Sequence, residues 1–132
     1  MTILEAVGDY LQSEGHGTLG TDLFLAVMPA SPDACVCVFE TPGFAPQFTM
    51  GSAVWAVDQP GLQVICRGER GDYPGARDKA DAVRAELAAV LEQTVSGVHV
   101  MRIAPDGAVM PMGEDENGRP MLSVNFSCQV RA

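Results

Sequence analysis

Two cysteines stand one residue apart in DACVCVFETPG (33–43), a spacing at which thiols can grip a metal or exchange electrons. On an extended strand Cys35 and Cys37 point to one face, with Phe39 next in line. Their Cα atoms would then be roughly 6.5–7 Å apart, at or past the limit of disulfide geometry. A Cys-x-Cys metal site needs a turn to converge the sulfurs, plus further ligands at suitable spacing. Cys66 and Cys128, the remaining cysteines, each sit alone on an apolar segment without a neighbouring His or Cys. The pattern favours buried cysteines acting as small hydrophobes. A small Cys-based metal or redox domain is the lesser alternative.

Other reactive residues are as isolated. His16 lies in a glycine-rich turn and His99 alternates with Val98 and Val100, the pattern of a solvent-facing strand residue. Neither has a Ser or Cys nucleophile in a setting that would pair with it. GHGTLG (15–20) lacks the Gly-Lys-Ser/Thr ending of a phosphate loop. EDEN (114–117) lacks the alternating ligands and terminal Glu of a calcium loop and reads as a solvated hairpin tip. Arg77, Asp81 and Arg84 are spaced to pair along a helix, worth tenths of a kcal/mol each. The sequence therefore predicts no catalytic residue, no metal ligand set and no cofactor, and the chain is not expected to be an enzyme.

The 132 residues are 47% hydrophobic and 19% charged, the composition of a single globular domain spanning 1–132. The longest apolar run, 23–28, is far short of the roughly 20 residues of a membrane span. The N-terminus carries no early Lys or Arg and reads as an amphipathic helix, not a signal peptide, so the expected compartment keeps the thiols reduced. Seventeen acidic residues against eight basic give a net charge of −9. The one basic concentration, Arg67, Arg70, Arg77 and Lys79, is interleaved with Glu69, Asp72, Asp78 and Asp81. Sequence-independent nucleic-acid binding is not expected from such a balance.

These residues need a scaffold, and the pattern supplies one. A capping box of Thr2 and Glu5 opens a helix over 2–14, stopped by glycines. Residues 22–28 and 34–40 read as strands joined in a hairpin through SPD. A third strand covers 62–69. A long helix over 74–94 follows, with Ala80, Val83, Leu87, Val90 and Leu91 near a 3.6 period and Ser96-Gly97 as its stop. Strands over 98–104, 108–114 and 119–132 complete the chain. The last alternates strictly, Leu122, Val124, Phe126, Cys128 and Val130 against Ser123, Asn125, Ser127 and Gln129. The expected fold is α+β: a two-layer sandwich, with a mostly antiparallel sheet and both helices packed on one face.

Residues 41–61 form a long loop in this reading, an extended apolar arm between the second and third strands. It holds Phe44, Phe48, Met50 and Trp55 among three prolines and three glycines. So many large apolar groups either fold back over the sheet or insert into a neighbouring subunit. A chain without an active site and with such an arm works by assembly.

The stretches GTLGTDLF, MPASPD, FETPGFAP and GLQVICRG, in this order, give the chain a resemblance to the minor capsid and tail terminator proteins of long-tailed bacteriophages. The match covers roughly residues 4–92 and continues more loosely through the C-terminal strands. The resemblance implies a structural virion protein assembled in the bacterial host cytoplasm. It would form a homo-oligomeric ring, typically a hexamer, that caps the tail tube, stops tube polymerisation and offers the head–tail joining face. The implied partners are the tail tube protein and a connector or neck protein, with no membrane. DNA would pass through the lumen without specific binding. In that setting Phe44, Phe48, Met50 and Trp55 become the subunit interface. Asp106, Asp115, Glu116 and Asn117, at the two turns, would face the tube or neck. Another head–tail connector or tube-like subunit is the nearest alternative, and a stand-alone ligand-binding α+β domain a more distant one.

Overall fold

The computed structural model describes residues 2–48, 50 and 55–131. Thr2 caps the first helix, α1 (Ile3–Ser13), its hydroxyl accepting from the Glu5 amide at 3.2 Å and meeting the Glu5 carboxylate at the same distance. The N-cap half of the expected capping box is in place, while the Glu5 carboxylate meets the Thr2 hydroxyl instead of its amide. The helix presents Ala6, Val7 and Leu11 inward. The second helix, α2 (Tyr73–Ala88), starts from Asp72, whose carboxylate accepts from the Gly75 amide. It buries Ala76, Ala80, Val83 and Leu87.

Among the described residues seven strands make one sheet: β1 (Leu23–Leu25), β2 (Cys35–Phe48), β3 (Trp55–Arg67), β4 (Leu91–Val95), β5 (Val98–Pro105), β6 (Met110–Glu114) and β7 (Pro120–Arg131). Their order is β1-β2-β3-β7-β5-β4, and β6 also pairs with β7. All pairs are antiparallel except β1 with β2. One hydrophobic cluster takes Val7 and Leu11 from α1, the four inward residues of α2, and Val36, Val38, Leu62, Val64, Cys66, Leu122, Val124, Phe126 and Cys128 from the sheet. The α+β class and the alternation along β7 stand as expected.

Three expectations about the elements fail for local reasons. The first two strands do not form a hairpin: β1 is short and runs parallel to β2, pairing Leu23 with Val36 and Leu25 with Val38. Residues 26–34 instead carry the chain back along the sheet. Two buried arginines hold that return segment. Arg67 donates to the Pro32 and Asp33 carbonyls at 2.7 and 2.8 Å, and Arg119 to the Ala30 carbonyl at 2.6 Å. The long helix also ends at Ala88 and not near residue 94. Residues 91–95 form β4 against β5, because Ser96 and Gly97, at φ 48° and 82°, make a tight turn between two β-branched runs. Finally, 41–48 and 55–61 are strand and not loop. Both strands flanking the expected loop continue into it, β2 as far as Phe48 and β3 from Trp55.

Candidate assembly surfaces

The extended part of β2 and β3 forms a ribbon whose construction is legible residue by residue. Near its root the register runs without interruption from Cys35–Arg67 to Thr41–Gly61. Beyond that it slips three times, through Phe44–Gln59 and Gln47–Val57 to Phe48–Trp55. Pro42 and Pro46 lie in the gaps between these registered pairs, and Pro60 lies in a gap on both of its neighbours. A proline has no amide to give a ladder, so it is tolerated where pairing is already broken. Two glycines let the strands approach: a Cβ on Gly43 would overlap the Gln59 carbonyl, and one on Gly61 would overlap the Thr41 hydroxyl. The Gln59 side-chain amide donates to the Ala45 carbonyl at 2.8 Å and ties the strands together.

The ribbon is anchored along one side. β3 continues its pairing with β7 as far as Val57–Arg131. β1 stops at Leu25–Val38, so from Phe39 onward β2 has a named strand on one side alone among the described residues. Phe44 is 67% exposed, Phe48 54% and Met50 fully exposed. The aromatic groups have therefore not folded back over the sheet. Trp55 begins β3, but its side chain lies outside the described residues. No charged residue occurs between Glu40 and Asp58, a notable gap in a chain of net charge −9.

A second exposed apolar surface lies at the far end of the sheet. Met110 and Met112 are exposed on β6, and beside them Tyr73, Pro111, Glu114, Pro120 and Met121 line a groove of about 210 Å³. The register places it opposite the ribbon: Arg67 pairs with Met121 at this end, and Val57 with Arg131 at the other. Sequence reading missed this surface, although MPM in a short edge strand was the available signal.

The four turn residues lie on two separate turns. Asp106 follows β5, accepting from the Ser127 hydroxyl while its own amide bonds the Asn125 carbonyl. Asp115 shapes the 115–118 turn, accepting from the amides of Asn117 and Arg119 and from the Arg119 guanidinium at 2.7 Å. These bonds, the Arg119 amide foremost, hold its carboxyl below the usual carboxylate value. Glu116 and Asn117 are exposed, and the Asn117 carbonyl accepts from Arg70.

Cys35 and Cys37 are buried and share a face of β2, opposite that of Val36 and Val38, with their sulfurs 3.8 Å apart. Cys66 and Cys128 lie in the main cluster, where burial pushes each thiol up to about 12. His16 finds a carboxylate after all, its Nε2 lying 2.9 Å from Glu86. The Tyr10 hydroxyl donates to the other Glu86 oxygen, and its pKa is raised to about 12 by burial and by that bond. His99 bridges Thr94 and Glu92. No three His, Cys, Asp or Glu side chains converge on a metal site among the described residues.

A family model described as bacteriophage tail terminator protein matches residues 10–131. No curated protein sequence matches the chain. Among solved structures, a chain from the virion of a native gene transfer agent particle superposes with a TM-score of 0.61 at 14% identity, covering all of this chain and 87% of that one. At that identity the likeness concerns the fold.

Proposed function

The chain belongs to the bacteriophage tail terminator family, a family of structural virion tail proteins and not of enzymes, and we propose that it closes the tail tube as a ring. The ring is a homo-oligomer, a hexamer in this reading, that halts tube polymerisation and offers a joining face to the head. The observation that supports subunit contact is the exposure of Phe44 and Phe48 on the ribbon, and of Met50 beyond the end of β2, in a stretch without charged residues. A second apolar surface at the opposite end of the sheet gives each subunit two unlike ends, as a heterologous, closing contact requires. Trp55 joins the interface in this proposal.

Partners follow from the same arrangement. Self-contact runs through the ribbon, while the tube protein and a neck or connector protein meet the turns. There Glu116 and Asn117 make the contact, Asp115 fixes the shape of its turn, and Asp106 braces β5 against β7. DNA passes through the lumen without specific binding, because the excess negative charge offers no phosphate site.

Native mass spectrometry at micromolar concentration, alone and with the tube protein, tests the ring, and electron microscopy of growing tubes tests the cap. The expected result is a closed ring near six subunits and tubes that stop growing when it is added. Tubes that lengthen unchanged beside a folded, monomeric chain would refute the reading. Binding to the neck without effect on tube length would make it a connector subunit.

A further inference from the structure

We propose that Cys35 and Cys37 form an oxidisable dithiol, which a peroxide converts into an intramolecular disulfide at the root of the ribbon. The pair is already placed for it. The sulfurs lie 3.8 Å apart on one face of β2, against about 2.05 Å in a disulfide. Alternate strand residues have Cα atoms about 6.6 Å apart, near the top of the disulfide range. That spacing is at the limit of disulfide geometry, so closing the bond must pucker β2 where Cys37 pairs with Phe24 on one side and Ile65 on the other.

Cys35 is the point of entry. It is 4% exposed and lines an open cavity of about 270 Å³ with His16, Asp22, Arg67, Glu69, Asp72 and Lys79, whereas Cys37 is fully buried beside it. Arg67 is the cross-strand partner of Cys35 and is itself buried. Its hydrogen bonds go to two main-chain carbonyls, so its charge remains available to a neighbouring thiolate. Either sulfur can donate in this contact; with Cys37 as the donor, the bond favours a thiolate at Cys35, and Arg67 and Arg119 add to that against burial and Asp22. Cys37, as the donor in a buried position, is raised. One activated thiol and one proton-bearing partner is the division of labour such a pair needs.

The chemistry balances in two steps. The Cys35 thiolate attacks one peroxide oxygen, forming an S–O bond as the O–O bond breaks, and the departing hydroxide takes up a proton as water. The Cys37 sulfur then attacks the sulfenic sulfur of Cys35, forming the S–S bond and expelling hydroxide, which leaves as water with the Cys37 proton. The two thiols supply two electrons and the peroxide accepts them. Resting on the tail-protein reading, this gives the pair a history: reduced during assembly in the host, and open to oxidation once the particle leaves it.

The test uses the purified full chain, hydrogen peroxide at neutral pH, and alkylation under denaturing conditions followed by peptide mapping. Cys35 and Cys37 should lose their free thiols together, at least about tenfold faster than Cys66 or Cys128. The Cys37→Ser variant should stop at a sulfenic acid on Cys35, trapped by a dimedone-type reagent. Equal rates at all four cysteines would overturn the proposal. So would oxidation of Cys35 that leaves Cys37 free in the natural chain, a measurement that needs no variant to fold. The assay involves no assembly, so a negative result leaves the ring standing, and a failed ring leaves the dithiol standing.

Discussion

The two halves of the β2–β3 pair obey different rules although they are the same two strands. From Cys35 to Glu40 the register is continuous, Val36 and Val38 point into the main core, and β1 covers the outer edge as far as Val38. From Thr41 to Phe48 the register slips three times, prolines interrupt it, and the large side chains face outward. The root is held by burial, the distal half by close backbone approach and one side-chain tie. A strand can thus pass from scaffold to display surface without a loop between.

Breaking the root should cost most. Leu62→Ala, at a fully buried position facing Phe126, should lower unfolding free energy by about 2–5 kcal/mol in urea titration. A smaller loss would mean the root core can collapse into the space. Gly43→Ala sharpens the contrast, since its Cβ meets the Gln59 carbonyl; the expected cost is about 1–3 kcal/mol. Hydrogen exchange should quicken along 41–48 and 57–61 with the root unchanged. Quickening at Val36 or Val64 as well would show that the halves open as one unit.

Phe44→Ser together with Phe48→Ser should change folding stability by no more than about 0.5 kcal/mol per site. The same variant should lose the ring in native mass spectrometry. Stability falling by several times that amount would place these aromatic groups in the fold instead of the interface. The smallest effect lies outside the ribbon. His16, followed by Tyr10, holds the Glu86 carboxyl below its ordinary 4.5. A depressed carboxyl stabilises the fold fully above that value and loses the effect as pH falls through the folded one. Glu86→Gln should flatten the acid limb of a melting-temperature profile; an unchanged limb would assign the slope to Asp115.

What the sequence disclosed follows from how locally each signal is written. The Thr2 N-cap and the alternation from Leu122 to Val130 depend on neighbours within a few residues, and both are present as read. The direction of β1 depends on Arg67 and Arg119 reaching back to 30–33, a long-range bond with no periodic trace. Ser96-Gly97 stops helices and also turns hairpins, and Thr94, Val95 and Val98 around it decided for the hairpin. The apolar residues of 41–61 stand out in the sequence, which leaves open whether they cover the sheet or meet a neighbour. Their strand geometry was masked by Pro42, Pro46 and Pro60, which sit at register slips and imitate a loop. The Met110–Met112 patch carried too short a signal to stand out beside the aromatic groups.

The charge-free stretch between Glu40 and Asp58 has a colloidal consequence. Copies carrying −9 each repel one another over most approaches, and the ribbon is a sector through which they can touch without bringing like charges together. The molecule behaves as a patchy particle with a bare face. In the proposed ring, that charge would keep single copies dispersed and direct their encounters to the ribbon.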